Sequence, residues 1–434
     1  MYDITDYGAV GDGATLNTAA IQRALDECGK RGGTVTVPPG IWLTGTLWLR
    51  SNTELRLETG AVLLGSADLA DYNEPDAYPQ NSSAVTEGWS GKHLILAIEV
   101  ENVALTGGGC IDGNGRAFFE AEPSRPGDNI CWRGGLCRPK NFENGGRPGQ
   151  EIVFVESRNI RVRDLELRDM CCWGCFFYGC ENVQVTGLRI ENGIRNVNTD
   201  GIDIDCCRDV TVSDCIIHTG DDAIAVRGAP SRLKNQGRIC ENVVIRNCIF
   251  RVNADGIRIG VGNGVIRDVL ISGVVIERSG RGIHLQNCYG KAIPGVDISE
   301  VIVSDVIIRR TGTPIMVAAG SEKSTAAMRD IVFRDVLISA FGSVIVAGAG
   351  GTRVENVSLS GILFEDEEAE EGAAIDREAG PLHTEDALFR IEEAHDVRLE
   401  ECRFRGASRR KALSLHRVTG LRGEPLPVPA GTAE

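Results

Sequence analysis

The sequence predicts an all-β fold, a parallel β-helix with a helix capping its N-terminal end. Three observations predict it. A short unit that reads polar and then alternately apolar recurs along the chain. Aromatic residues are scarce, at 5%, while 53 of the 434 residues are glycine, a composition suited to many short strands joined by tight turns. Near the N-terminus, one stretch carries apolar residues at helical spacing instead.

The repeat begins with Asn102-Val103-Ala104-Leu105, Asn159-Ile160-Arg161-Val162, Asn182-Val183-Gln184-Val185 and Asp209-Val210-Thr211-Val212. It continues at Asn242, Asp268, Glu300, Asp330, Asn356 and Asp396, each followed by the same alternation. From 159 to 182, 182 to 209 and 242 to 268 the spacings are 23, 27 and 26 residues; the wider gaps, 209 to 242 and 356 to 396, imply loops inserted into single coils. Most units hold further short apolar strands, such as Ala223-Ile224-Ala225-Val226, and no helix between them. Several short strands per repeat match a parallel β-helix better than a propeller, whose blades need about 40 residues at regular spacing.

The cysteines follow the same period. Cys180, Cys207 and Cys240 each stand two residues before a repeat start, and Cys215, Cys248 and Cys402 each stand six after one. Such positions stack between coils, so these are expected as buried free thiols. Cys172-Trp173-Gly174-Cys175 has the spacing of half a zinc knuckle, but no second pair follows, and no metal site is assigned. Ala20, Ile21, Ala24, Leu25 and Cys28 define the helix, with Asn17 as its cap and Gly29 able to end it. The stretch from Glu365 to Gly380 is acidic and reads as a strand-free, solvated loop. No linker divides the chain. One domain over 1–434 is expected, with the cap and first coils in 1–70 and the repeat coils in 100–420.

A net charge of -15, without a long basic run, argues against nucleic-acid binding. No apolar run is long enough for a membrane helix. The start, Met1-Tyr2-Asp3-Ile4-Thr5-Asp6, does not read as a signal peptide, so the 15 cysteines are expected reduced, in a cytoplasmic protein.

Because the alternation repeats, outward positions can be aligned by counting. Asp200, Asp222, Asp255 and Arg281 form one column, and Asp203, Ala225, Arg258 and His284 a second; Asp205, Arg227, Gly260 and Gln286 form a third. The Ile, Val and Leu between them point inward, so these columns are expected to face outward, on one side. Asp200, Asp203, Asp221 and Asp222 then crowd within two coils. Like charges so close raise one another's pKa. Such a cluster suits hydrolysis of a glycoside, in which one carboxylic acid protonates the leaving oxygen and a carboxylate activates water. Turn-forming aspartates, or a bound calcium ion, are the other readings of the same residues.

At these residues the chain resembles glycoside hydrolase family 28, the polygalacturonases and their relatives. The resemblance runs through Asp6-Tyr7-Gly8-Ala9-Val10-Gly11-Asp12-Gly13, Val37-Pro38-Pro39-Gly40, Gly60-Ala61-Val62-Leu63-Leu64-Gly65-Ser66 and Ile111-Asp112-Gly113-Asn114-Gly115. Most specific are Asn198-Thr199-Asp200-Gly201 and Gly220-Asp221-Asp222-Ala223, in that order and one coil apart. The resemblance implies a right-handed single-stranded parallel β-helix and an inverting reaction. It implies Asp221 as general acid, Asp200 and Asp222 as activators of water, and Asn198 as their support. Arg227 occupies the place of a basic residue that often follows the aspartate pair. No cofactor is implied.

The chain departs from the family pattern twice. Ala254-Asp255-Gly256 stands where polygalacturonases carry Gly-His-Gly, and His284-Leu285-Gln286 where they carry Arg-Ile-Lys. The family uses that histidine to assist the acid and those cations to hold a galacturonate carboxylate. Either Arg258 and Arg281 replace the clamp, or the substrate is a neutral or deoxy sugar. Asp255 is expected to stay ionised among its cations and to select substrate. Asn198, Asp203, Arg227, Asp255, Arg258, Arg281, His284 and Gln286 are the candidate substrate-binding residues. The partner expected is an oligosaccharide. The insertion Ala121 to Gly149, with Trp132, Arg133, Arg138, Lys140 and Arg147, could close one end of a cleft and favour exo attack. A lyase, an epimerase, a transglycosidase and a non-catalytic carbohydrate-binding relative are the alternatives on the same scaffold.

Overall fold

The computed structural model describes residues 1–434 except 83–87, 124–129, 132–134, 141–145, 290–293, 322, 351, 353, 369–374, 377–386, 428 and 430–434. The chain groups into two compact units: Met1–Glu122 with Cys137–Asp221 and Ser231–Arg238, and Pro123–Leu136 with Asp222–Pro230 and Ile239–Glu434.

In the first unit three ladders of parallel strands run through successive coils. One stacks Ile95–Ile98, Ile152–Val155, Cys175–Tyr178 and Ile202–Asp205. A second stacks Thr53–Leu57, Glu101–Gly107, Arg158–Arg163, Glu181–Thr186 and Arg208–Ser213. The third runs from Gly40–Thr44 to Ile216–Thr219. Alternate residues of each strand turn inward, and the inward set is buried: Ile160, Val162, Val183, Val185, Val210 and Val212 in the second ladder. Phe154 and Phe177 stack within the core with ring centroids 5.2 Å apart.

The second unit repeats the plan. Ile224–Gly228, Asp255–Gly262 and Val275–Gln286 pair in parallel, followed by Asp297–Ala318, Val344–Ala347, Ala387–Glu392 and Lys411–His416. The repeat strands form their own ladder, from Cys240–Arg246 to Ala394–Glu400.

The corners explain why each repeat opens on a polar residue. All ten repeat-start residues lie in the left-handed region, with φ between 51° for Asp396 and 59° for Asp209. Asparagine and aspartate tolerate that conformation best among residues with a side chain. Five residues on, a second left-handed corner recurs at Asp164, Gly187, Asp214, Asn247, Gly273, Asp305, Asp335 and Gly361. The two corners bracket the apolar alternation and turn the chain at each end of it. On the outside of the first unit the corner amides also bond to each other: Asn102 donates to Asn52, Asn159 to Asn102 and Asn182 to Asn159, at 2.7, 2.9 and 2.8 Å.

The helix spans Thr18–Arg31 and buries the five residues that define it in the sequence. It packs on Gly33–Val37, Leu47–Trp48 and Thr53–Leu57, the first strands of the stack. Two details differ from expectation. Asn17 does not cap with its side chain; its Oδ1 accepts from the Val10 amide at 2.7 Å and its Nδ2 donates to the Val10 carbonyl, tying down the preceding loop. The helix runs past Gly29 to Gly32, which has φ +77°. A Cβ on Gly29 would lie 2.7 Å from Cβ of Arg50, so this glycine permits close packing and terminates nothing. The fourteen cysteines other than Cys131 carry free thiols, and of these all but Cys137 are buried. In the first unit Cys180 and Cys207 stack as the period implies, the Cys180 amide donating to Sγ of Cys207.

The acidic stretch is not strand-free. A strand covers Leu363–Asp366, and Ile375–Asp376 forms another. Glu365 sits in register with Arg405, and Asp366 accepts from Ser408 and pairs with Arg410. These cross-coil partners neutralise acids that the sequence leaves looking solvated.

Glu300 is the one glutamate among the ten corners, exposed and at φ 57°. Glu300→Asn is expected to stabilise the protein by about 0.5–1 kcal/mol, because glutamate gains less than asparagine from local bonding in that conformation. Urea midpoints compared with Glu300→Val, which should be destabilised, check the assignment.

Candidate active site

In the first unit the turn Gly193–Asp200 packs against the end of the strand Ile216–Thr219. Thr199 Oγ1 donates to the Asn196 carbonyl at 2.9 Å and accepts from the Gly220 amide at 3.2 Å. A Cβ on Gly220 would overlap the Asn196 carbonyl oxygen, so glycine is required immediately before the aspartate pair. This contact sets Asp221 beside Asn198, whose backbone N–H donates to Asp221 Oδ2 at 2.9 Å. Asn198 is held at φ 53°. Carboxylate oxygens of Asp200 and Asp221 lie within 4.8 Å of one another. Oxygens this close would suit a cation.

Asp203 and Asp205 occupy the outward positions of Ile202–Asp205, in register with Phe176 and Tyr178. Both aspartates are buried, where outward exposure was expected. The outward face of this unit is covered by an aromatic row that sequence reasoning missed: Trp89 against Trp173, Trp173 against Phe176, and Phe176 stacked on Tyr178, with centroids 5.3–5.4 Å apart. Phe176 stays half-exposed. The signal was a run of aromatics from Trp173 to Tyr178 in a chain otherwise poor in them.

Asp222, the next residue after Asp221, begins the second unit. Here the counted columns match the observed register: Ala225 with Arg258, Arg258 with His284, Asp255 with Arg281, and Gly260 with Gln286. The side chains are nonetheless closed off from solvent. Asp222, Asp255, Arg258, Arg281 and His284 are all buried, with Asp255, Arg281 and His284 0% exposed. Arg258 Nε lies 2.9 Å from both Asp222 Oδ2 and Asp255 Oδ2, Arg281 Nη1 lies 3.2 Å from Asp255 Oδ1, and His284 Nδ1 lies 2.8 Å from Asp255 Oδ2. The Asp255 amide donates to Asp222 Oδ1 at 3.0 Å, and the Arg258 guanidinium stands 4.8 Å over the Tyr289 ring. Two carboxylates and two guanidiniums thus balance within one network.

Burial alone would raise the Asp255 carboxyl, but Arg258, Arg281 and His284 outweigh it and hold the group far below the usual carboxylate range. It is ionised, as expected from the sequence. Its position differs from expectation: with no exposed surface it anchors the two arginines and His284, and these three positions form a support beneath the face. His284 is pushed down by burial, and by Arg281, against the pull of Asp255. The neutral ring must donate from Nδ1, because an ionised carboxylate only accepts. Beyond His284 the same column turns apolar, with Met316 and Ile345. Among the candidates Asn198, Asp221, Arg227 and Gln286 remain partly exposed.

Of the insertion from Ala121 to Gly149, Trp132 and Arg133 lie outside the described residues. Arg138 faces Glu122 at 3.6 Å and Lys140 donates to the Ala117 carbonyl. Arg147 is fully buried against the Asn198 turn. Close by, Glu151 is another residue the sequence did not flag. It is buried, its Oε1 accepts from the Cys171 amide at 2.7 Å, and burial pushes its carboxyl up to about 7, the Cys171 amide and Arg147 pulling the other way.

A carboxyl raised in the folded state favours folding when protonated, so its penalty is absent below the unfolded value near 4.5 and grows as pH rises to about 7. Glu151→Gln is therefore expected to leave stability unchanged at pH 4 and to raise it at pH 8, by up to about 3 kcal/mol. Denaturant titrations at the two pH values test this, and equal effects at both would contradict it.

A sequence profile described as glycosyl hydrolases family 28 matches residues 65–371, and one described as rhamnogalacturonase A/epimerase, pectate lyase-like matches residues 1–68. A probable polygalacturonase of Vitis vinifera is 31% identical over 301 residues, covering 66% of this chain and 57% of its own length. The exo-poly-alpha-D-galacturonosidase of Dickeya chrysanthemi is 29% identical over 317 residues, covering 66% of this chain and 52% of its own. The chain therefore spans little more than half the length of these relatives. Among solved structures, the family 28 exopolygalacturonase of Yersinia enterocolitica superposes with a TM-score of 0.72, covering 98% of this chain and 78% of its own at 21% identity. That likeness shows the fold, a right-handed parallel β-helix.

Proposed function

This chain belongs to glycosyl hydrolases family 28, and from that premise we propose that it is an inverting, exo-acting glycosidase that cleaves O-glycosyl bonds in pectin-derived or related oligosaccharides. Asp221 is the general acid, and Asp200 and Asp222 activate the attacking water. The observation that carries this reading is the setting of Asp221. Its Oδ2 accepts the Asn198 amide N–H at 2.9 Å, and a carboxyl oxygen of Asp200 lies within 4.8 Å. A carboxyl that accepts an N–H at one oxygen carries its proton on the other. The bond therefore presents Oδ1 of Asp221 for transfer to the leaving glycosidic oxygen. As that bond breaks, water attacks the anomeric carbon and passes its proton to the carboxylate opposite. Arg258, 2.9 Å from Asp222, balances the charge of that base.

Arg227 and Gln286 are proposed to touch the sugar, since each keeps exposed surface, while Asn198 supports Asp221 from its turn. Half-exposed Phe176 offers a ring face to a sugar's C–H groups. Asp203, Asp255, Arg258, Arg281 and His284 act from beneath. The arginines that would hold a uronate carboxylate are already paired with Asp222 and Asp255, which supports a specificity altered from plain polygalacturonan.

The inverting course is carried over from the family resemblance. A retaining course would instead need one carboxylate to attack the anomeric carbon itself. NMR of the first-formed anomer on a pectic oligosaccharide distinguishes the two. Asp221→Asn and Asp222→Asn should each lower turnover by about two orders of magnitude or more, with parent-like activity in both sinking the assignment. Asp221→Asn should fold normally. Asp222→Asn should also lose stability, because its carboxylate is buried against Arg258; circular dichroism separates this loss from the catalytic one.

For exo attack, purified protein on a pectic polymer should release short products from the chain end while viscosity falls slowly. Rapid viscosity loss would identify endo attack.

A further inference from the structure

We infer that Arg147 is a positioning residue for the proposed general acid, and that the insertion carrying it serves as a clamp on the turn that holds Asp221. This rests on the reading of Asp221 given above. Arg147 is fully buried. Its Nη1 donates to the Cys171 carbonyl at 2.6 Å and to the Val197 carbonyl at 3.0 Å, and its Nη2 donates to Asn198 Oδ1 at 3.0 Å. The guanidinium stands 5.3 Å from the Phe119 ring centroid. Its own main chain is fixed, because the Ser90 amide and hydroxyl both donate to the Arg147 carbonyl, at 3.1 and 3.0 Å.

A second thread of the same insertion grips the turn from its other end. The Cys137 amide donates to the Arg195 carbonyl at 2.7 Å, and the Val197 amide donates to the Cys137 carbonyl at 3.1 Å. The segment Arg195–Asn198 is therefore held by main chain at 195 and 197 and by guanidinium at 197 and 198. What this holds is a left-handed residue, Asn198, whose main-chain N–H donates to Asp221 Oδ2. A side-chain amide anchored at Oδ1 cannot rotate away, so the N–H stays aimed at Oδ2 of the acid. Only the planar fork of arginine reaches three acceptors in one orientation; a lysine ammonium supplies the charge without that geometry.

Loss of the clamp lets the Asn198 N–H wander from the carboxylate. A carboxylate that loses an N–H donor is less stable in its ionised form, so the acid keeps its proton to higher pH but no longer holds it on a fixed oxygen. Turnover should fall, while ground-state binding, which does not depend on where that proton sits, should change little.

The test compares Arg147→Lys, Asn198→Gly and the double variant on the pectic oligosaccharide that the parent cleaves fastest, with Asp221→Asn alongside. Glycine keeps the left-handed backbone and its N–H but removes the anchor. Each single variant is expected to lower kcat at least tenfold, to leave KM within twofold and to move the basic limb of the kcat–pH profile upward. The double variant should be no more than twofold worse than either. Effects that multiply in the double variant, or an unshifted basic limb, would overturn the inference. Should Arg147→Lys fail to fold, Asn198→Gly decides alone, and parent-like kcat there overturns the clamp. Full activity in Asp221→Asn would instead remove Asp221 as the acid, a failure of the functional reading that the pH profiles of the other variants would not mimic.

Discussion

A coil of this fold has no interior of its own. Its inward isoleucines, valines and leucines leave water only by lying over like residues of the coils on either side, and that demand makes strands pair in parallel and in register. Shifting one strand by a residue would expose its whole inward set and bury its outward one. Register therefore governs the rest. It explains why the repeat starts recur as left-handed Asn and Asp corners, why Cys180 stacks on Cys207, and why outward side chains line up in columns.

Stacking in register also creates an electrostatic difficulty, because a column of like residues is a column of like charges at strand spacing. The second unit answers by alternating sign. Asp255 pairs in register with Arg281, and Arg258 reaches back to Asp222 and Asp255 at 2.9 Å. Breaking such a buried network is costly, since it strands a charge without its counter-ion. In the first unit Asp221 accepts a hydrogen bond from the Asn198 backbone amide.

Insertions supply what periodicity lacks. A repeat can deliver Asp200, Asp203 and Asp222 to their coils, but it cannot orient one carboxyl against one amide. That orientation comes from irregular chain: the turn at 193–200, the glycine that lets it approach, and the buried guanidinium of Arg147. The same irregular chain brings Glu151 under the Cys171 amide and gives the protein a carboxyl that titrates near neutrality.

The repeat itself was legible in the residues. Alternation, polar corners and the spacing of cysteines all depend on local preference and on stacking like upon like, and both are written in the chain. Family motifs picked out Asp200, Asp221 and Asp222, and counting along the repeat aligned Asp255 with Arg281 and Arg258 with His284, as the structure has them. The sequence did not determine what those columns meet. Counting tells which way a side chain points, not whether another chain segment or an opposite charge covers it, and so buried Asp255, Arg281 and His284 read as an exposed sugar-binding face. Helix ends failed for a similar reason, since Gly29 answers to Arg50, a residue distant in sequence. Arg147 and Glu151 carry no pattern at all. Their roles exist only where the insertion folds back onto the turn, because three acceptors at 2.6–3.0 Å come from two segments far from Arg147 in the chain, and only tertiary structure brings those to one guanidinium.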